Sequence, residues 1–183
     1  MNKTTVILTS VFALIMLVAG CFVYSYNTII KAEERVEARF AEVETELQRR
    51  YDLIPALVST TQNHMTHEKK VLASVTEARS KLSGALTISE TIEVSNELEG
   101  ALSQLLALFN DYPELKTNAQ LTLLINELSE AENRVATARS QYNEAVQMFN
   151  SKIRSFPISL MASMMEVEKR DYFQAQEESK SEL

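Results

Sequence analysis

The sequence predicts an all-α protein in which an N-terminal membrane-spanning or signal helix precedes an antiparallel four-helix bundle of long helices. Only 3 Gly and 3 Pro occur among 183 residues, so turns are few and the elements between them are long. An uncharged apolar run opens the chain, and apolar side chains recur in heptad seams through most of the rest. The predicted segments are residues 1–5, a short N-terminal stretch; 6–26, the anchor or signal; 27–157, the bundle; and 158–183, an apolar flap with a disordered polar tail.

The N-terminal run is long enough to cross a membrane. Residues 4–30 carry no charge, and the centre of this run is nearly all apolar. A bilayer core of ~30 Å needs about 20 such residues, and Tyr24 and Tyr26 stand where interfacial aromatic side chains are expected. We therefore expect residues 6–26 to contact membrane lipid and to hold the protein at a cell membrane as a single-pass N-terminal anchor.

A second interpretation of the same run centres on Cys21. The stretch Val18-Ala19-Gly20-Cys21 resembles a bacterial lipobox, in which a signal is removed and the new N-terminal cysteine is lipidated. The protein would then be lipid-anchored through Cys21 and face outward. The apolar run continues past Cys21 as far as Tyr24, which favours an uncleaved anchor.

The charges beside the run bear on orientation. One basic residue, Lys3, precedes the run, whereas Lys31, Arg35 and Arg39 follow it. The positive-inside rule then favours a cytoplasmic C-terminal domain, and the free amino terminus opposes this. Both orientations stay open.

The bundle begins with an amphipathic helix that continues from the apolar run. Its seams carry apolar residues such as Phe40 and Leu47, with a charged opposite face. Pro55 predicts a tight turn or kink, because proline lacks an N–H and clashes with the carbonyl of Tyr51. A second helix should then run from about Pro55 to Leu82 and close near Gly84.

Two further helices complete the predicted bundle. The third starts near Ser89, with Ser89 or Thr87 as its cap, and ends before Pro113. The fourth runs from Asn118 to Arg154, with Thr117 or Asn118 as its cap, and carries large side chains in one seam and small ones in the other. We expect Phe40, Val75, Leu102 and Tyr142 to meet in the core.

Ligand-type side chains are concentrated at one place only, which includes both histidines of the chain. His64, His67 and Glu68 lie within five residues, and His64 and Glu68 share a helix face. A zinc site needs three or four such ligands, and the H-E-x-x-H pattern is absent. No metal or cofactor is therefore predicted, although a metal-binding or metal-dependent protein using these three residues is kept as an alternative.

Polar residues of the last helix form a second candidate group. Asn143 and Asn150 are one heptad apart, which suggests hydrogen bonds between helices that fix their register; a solvated face is the other interpretation. Neither supplies a nucleophile with a base, so no catalytic residue is assigned and the protein is predicted not to be an enzyme. A formal net charge of −7 argues against binding to nucleic acid.

These same stretches resemble the LemA family of bacterial membrane-associated proteins. The matching segments are Tyr26-Asn27, LQRRYDLIPALV from Leu47, His67-Glu68 with Ala78-Arg79, NDYPELK from Asn110, ENRVATARSQYNEAVQMFNSKIRSFP from Glu132, and the Asp171-Tyr172-Phe173 tail. The resemblance implies an N-terminally anchored helical bundle, either single-pass or lipidated, with no catalytic residues to carry over. The polar residues of the matching motifs are Arg49, Arg50, Asp52, His67, Glu68, Glu132, Asn133, Arg134, Arg139, Tyr142, Asn143, Asn150 and Arg154.

The functional hypothesis follows from the anchor and from the lack of a catalytic constellation. We expect a membrane-tethered, non-enzymatic scaffold or adaptor of the bacterial envelope, acting on an envelope protein partner that the sequence does not identify. A self-assembling homo-oligomer is the first alternative, because the heptad seams and the Met-rich segment Ile158 to Met165 could pair copies of the chain.

Overall fold

All of the regular secondary structure in the described residues is helical. The computed structural model describes residues 3–62, 68–85, 87–112, 115 and 117–173. Their α-helices are α1 (Lys3–Gln62), α2 (Lys69–Gly84), α3 (Ile88–Leu108), α4 (Ala119–Ile153) and α5 (Ile158–Met164), with a 3-10 turn at Phe109–Asp111. No strand occurs in these ranges, and the all-α prediction is confirmed.

The chain divides into two compact units, which we describe separately. Unit one contains the chain up to Arg39 together with Tyr142–Tyr172, and unit two contains Phe40–Gln141 together with Phe173. α1 and α4 each contribute residues to both units, whereas α2 and α3 belong to unit two and α5 belongs to unit one.

Unit one combines a buried helical core with an exposed apolar helix. Its core draws on the middle of α1, the last turns of α4, and α5; the buried apolar side chains are Ile29, Ala32, Val36, Tyr142, Ala145, Val146, Phe149, Ile153, Ile158 and Ala162. The first turns of α1 are different, because their large apolar side chains are exposed and the window long enough to cross a membrane has none of its residues buried.

Unit two is built on an antiparallel pair, α2 and α3, joined by a short connection. The Lys81 ammonium, near the end of α2, lies 3.0 Å from the Glu97 carboxylate on α3. One cluster of buried side chains fills the unit: Ile54, Leu57, Leu72, Val75, Ala78, Leu98, Leu102, Leu105, Phe109, Leu115, Leu121 and Leu128. Val75 and Leu102 were both predicted to be core residues, and both are fully buried here.

The helix starts in unit two follow the capping rules. Thr87 caps α3 with its side chain accepting from the Glu90 N–H at 3.2 Å, while the Glu90 carboxylate accepts from the Thr87 N–H at 3.1 Å. Asn118 caps α4, its Oδ1 accepting from the N–H groups of Gln120 and Leu121. Both caps were among the predicted ones, and α2 closes at Gly84 as expected.

The prediction that Pro55 ends the first helix is wrong. α1 continues through Pro55 to Gln62, and α2 begins only at Lys69. The proline ring is on the exposed face, where the Tyr51 carbonyl can be hydrated, while Ile54 and Leu57 on either side are buried. Burying two such side chains contributes about 3–6 kcal/mol, enough to offset the roughly 3 kcal/mol that an interior proline costs. As a result α2, of 16 residues, is shorter than predicted, whereas α3, of 21 residues, has about the predicted extent.

The apolar segment after α4 is more ordered than predicted. We expected a loose flap from Ile158 to Met165, but Ile158–Met164 is helical, with Ile158 and Ala162 buried. The chain leaves α5 through Glu166, whose φ of 54° is in the left-handed region. The last ten residues, predicted to be disordered, lie outside the described residues.

Candidate functional site

An arginine occupies the core seam of α1 in unit two. Arg50 follows Val43 and Leu47 on the face that continues to Ile54, and only 2% of its surface is exposed. Within the described ranges, its Nε has no hydrogen-bond partner. Burial lowers the pKa of the Arg50 guanidinium, and the carboxylates of Glu132 and Glu99 act in the opposite direction. Arg50 is therefore a desolvated cation whose charge is balanced by acidic residues of α4 and α3.

A second arginine joins α4 to α3 beside this group. The Arg139 Nη1 lies 2.6 Å from the Glu99 Oε2, and its Nη2 donates to the Ser95 Oγ at 3.1 Å. The guanidinium carbon also lies 5.1 Å from the centre of the Phe173 ring. Arg139 lowers the pKa of Arg50 by charge repulsion, so the two cations and two carboxylates act as one electrostatic network. We call Arg50, Ser95, Glu99, Glu132 and Arg139 the interior polar network.

Two other arginines of the matching motifs in unit two, Arg49 and Arg134, form ion pairs with glutamates nearer the surface. Arg49 is half exposed and its Nη1 lies 3.2 Å from Glu46. Arg134 bonds Glu130 at 2.6 Å and approaches Glu46 at 3.4 Å, and Asp52 accepts from the Gln48 amide at 2.8 Å.

An aromatic contact joins two helices of the same unit. The Arg79 guanidinium carbon lies 4.2 Å from the centre of the Tyr51 ring, within cation–π range. This contact ties α2 to α1 next to the interior polar network.

In unit one, motif residues of α4 hold the chain that follows α5. The Asn150 Nδ2 donates to the Arg170 carbonyl at 2.9 Å, and its Oδ1 accepts from the Arg170 N–H at 3.0 Å. The Tyr142 hydroxyl donates to the Asp171 carbonyl at 3.0 Å, and the Arg170 guanidinium bonds Glu33 on α1. Residues 165–172 therefore form a strap, which α1 and α4 hold in place.

The partner of Asn150 differs from the one predicted. We expected this amide to bond another helix, whereas it pairs with the backbone of the strap. The physical reason is complementarity: a side-chain amide presents the same donor and acceptor as a peptide group, and a non-helical strap leaves both groups of Arg170 in need of partners.

Burial changes the acidity of the Tyr142 phenol. It raises the pKa of Tyr142 to about 12, and the nearby Asp171 carboxylate contributes in the same direction while Arg170 opposes it. Tyr142 is consequently a neutral hydrogen-bond donor at any physiological pH, as a residue that fastens the strap must be.

The other site residues named from the sequence do not converge on one place. His64 and His67 lie outside the described residues, and Glu68 stands at the start of α2, where its carbonyl accepts from Val71 and Leu72. Asn133 and Arg154 are exposed, and Asn143 is half buried. In the described ranges no group of three or more His, Cys, Asp or Glu could hold a metal ion. The metal hypothesis, which depends on His64 and His67, stays a prediction.

An apolar groove of about 350 Å³ lies in unit one, between α1 and the start of α5. Leu17, Val18, Cys21 and Phe22 of α1 line one side, and Phe156 and Leu160 line the other. Cys21, the candidate lipidation site, is half buried there.

Sequence reasoning missed several partners of the motif residues. Ser95 and Glu99 are four residues apart on α3, and Ser95 stands at a buried position between Thr91 and Leu98. A hydroxyl on an otherwise apolar seam was the signal that could have been used, since buried polar groups require partners. Arg170 and Glu33 are 137 residues apart, and no local pattern indicates their contact.

Comparison with known proteins found a matching family and several relatives. The family described as the LemA family matches residues 39–183. The magnetosome proteins MamQ 2 and MamQ 1 of Paramagnetospirillum magneticum are each 26% identical over 175 residues, which covers 81% of this chain and 64% of theirs. Protein LemA of Metamycoplasma hominis is 23% identical over 168 residues, covering 88% of this chain and 76% of its own. The chain thus spans less than two thirds of the length of the MamQ relatives.

Proposed function

The chain belongs to the LemA family, and on that premise we propose that it is a membrane-tethered, non-enzymatic scaffold or adaptor of the bacterial envelope. A single-pass helix formed by residues 6–26 holds it in the bilayer. Its helical units present their surfaces to an envelope protein partner.

The exposed apolar start of α1 is the observation that supports a membrane anchor. Leu8, Phe12 and Leu17 each expose more than three fifths of their surface, and no residue of the spanning window is buried. An apolar surface of this extent is costly in water, at roughly 25 cal/mol per Å², and a lipid environment removes that cost.

The groove of unit one favours a retained anchor over a lipoprotein. Cleavage before Cys21 would remove Leu17 and Val18, which line the groove opposite Phe156 and Leu160. The unit would lose these two residues from the α1 side of the groove, where Cys21 and Phe22 would remain. We therefore propose that Cys21 stays within an uncleaved helix.

The non-enzymatic part rests on where the motif side chains point. Arg139 contacts Glu99 and Ser95, and Asn150 pairs with the backbone of the strap. Arg134 and Asp52 likewise bond side chains of this chain. These polar groups stabilise the helices, which is the role expected of residues that keep a scaffold rigid.

Photo-crosslinking in living cells tests the scaffold role. A photoreactive amino acid replaces Leu123, whose side chain is 58% exposed on the unit-two part of α4. We expect a reproducible adduct with one other envelope protein, while the same group at Phe12 should label lipid. Adducts between copies of this chain alone would support the homo-oligomer instead, and an absence of protein adducts at Leu123 and at exposed positions of α2 and α3 would contradict a scaffold.

A further inference from the structure

α5 carries an apolar face that the protein itself does not cover. Ile158 and Ala162 point into unit one, with 9% and 4% of their surfaces exposed. Leu160 and Met164, one turn apart, expose 57% and 68% of theirs, and Phe156 just before the helix exposes 81%. Three large apolar side chains over nine residues form a patch that soluble surfaces usually avoid.

The patch lies beside the membrane-spanning part of α1. Phe156 and Leu160 share the groove with Leu17, Val18, Cys21 and Phe22. At 1.5 Å per residue, Leu17 is about 13 Å from the end of a span that closes at residue 26, so the groove extends to nearly half the depth of a ~30 Å hydrocarbon core. If α1 is in the bilayer, Phe156 and Leu160 lie at the depth of the α1 residues that they face.

We infer that the 156–164 segment is a second membrane contact, in which lipid acyl chains fill the groove and cover Phe156, Leu160 and Met164. The inference rests on the proposed function, since it needs α1 to span the bilayer. The protein would then be held by one spanning helix and by a short helix embedded in one leaflet beside it.

The backbone around the segment suits this environment, because apolar surroundings penalise unpaired peptide groups. In the turn before α5, the backbone N–H of Ser155 donates to the carbonyl oxygen of Lys152 at 3.0 Å. The N–H of Ser159 donates to the carbonyl oxygen of Ser155 at 2.8 Å. Pro157 contributes no N–H to satisfy. After α5, the N–H of Val167 donates back to the Ala162 carbonyl at 3.0 Å, closing the helix.

Charged side chains stand at the border of the segment rather than within it. Lys152 and Arg154 are exposed around the end of α4, four and two residues before Phe156, and Glu166 and Glu168 follow α5. Long basic side chains in this position reach lipid phosphates while the adjacent apolar residues enter the hydrocarbon.

Depth-dependent fluorescence quenching tests the inference on the full-length chain. Cys21 is the sole cysteine, so Cys21→Ala allows single labels. Separate variants Leu160→Cys, Phe12→Cys and Leu123→Cys carry an environment-sensitive NBD group in phosphatidylcholine vesicles with or without acyl-chain nitroxides. Leu123, 58% exposed, matches Leu160 in exposure but belongs to unit two.

We expect a blue-shifted emission and strong nitroxide quenching at Leu160 and at Phe12, and neither at Leu123. Quenching at Phe12 with none at Leu160 would overturn the second contact while leaving the anchor intact. A blue shift at Leu160 without quenching would mean that another protein surface covers it, and this too would overturn lipid contact. An unquenched Phe12 would instead contradict the proposed membrane anchor.

Discussion

Arg49 and Arg50 show how much the position on a helix decides the role of one residue type. Arg49 projects from α1 toward water and pairs with Glu46, whereas Arg50 occupies the seam between Leu47 and Ile54 and is buried. The first arrangement contributes little free energy, since solvent screens exposed pairs. The second depends on nearby carboxylates, since an uncompensated buried charge is strongly destabilising.

A double-mutant cycle separates the two arginines. We expect Arg50→Met and Glu132→Gln to show a coupling free energy of about 1–3 kcal/mol for unfolding in detergent, because each change removes a charge that compensates the other in a desolvated setting. The matched cycle of Arg49→Met with Glu46→Gln should give a coupling below about 1 kcal/mol. Equal coupling free energies in the two cycles would show that Glu132 does not compensate the buried charge of Arg50.

Tyr142 gives the strap a dependence on alkaline pH. Its pKa rises from 10.0 to about 12 on folding, so the unfolded chain loses the phenol proton first. The stability that this group contributes is fully present below pH 10.0 and is lost as the pH rises toward 12. Tyr142→Phe should therefore flatten the decline of unfolding free energy over this window.

At neutral pH the same substitution should cost about 1 kcal/mol, the worth of the lost bond to the Asp171 carbonyl. Tyr172→Phe, at an exposed position of the strap itself, is the control and should change the free energy of unfolding at neutral pH by less than about 0.5 kcal/mol. Parallel profiles for the wild type and Tyr142→Phe would disprove the role of the phenol.

Residue roles could be predicted from the sequence only where a local pattern determines them. Heptad spacing indicated the burial of Tyr142, and the same spacing places Arg50 on a seam. The bonds of Asn150 to Arg170 could not be found this way, because they depend on where the chain runs twenty residues later. Helical periodicity carries no information about a non-helical strap.

At the scale of elements, helix starts were easier to predict than helix ends. Thr87 and Asn118 offer side-chain acceptors directly before periodic segments, and both helices begin there. The expectation that proline ends a helix was wrong at Pro55. It considers only the lost backbone hydrogen bond and not the burial of Ile54 and Leu57 on either side. Tertiary burial decided the length of α1.

Replacing this proline tests the continuity of α1. Pro55→Ala restores an N–H that can donate to the Tyr51 carbonyl, so the free energy of unfolding should rise by about 1–3 kcal/mol. Ser59→Ala, one turn later on the exposed face, should change it by less than about 0.5 kcal/mol. A destabilised Pro55→Ala variant would indicate that proline shapes a turn there after all.

At the scale of the whole molecule, one stretch of chain is unlike the rest. The helices after residue 27 place most of their apolar side chains inside the two units, with the outer face of α5 as the main exception, whereas the start of α1 exposes its own throughout. Family membership and this exposed helix together fit a location at the membrane. The partner could not be predicted, because helix surfaces carry no motif that names one.

Intact and peptide mass spectrometry of the protein purified from membranes tests the uncleaved anchor most directly. We predict a contiguous peptide that runs through Val18, Cys21 and Phe22 with an unmodified thiol. A chain that instead begins at a diacylated Cys21 would contradict the account, since most of the spanning segment of α1 and two groove residues, Leu17 and Val18, would then be missing from the mature protein.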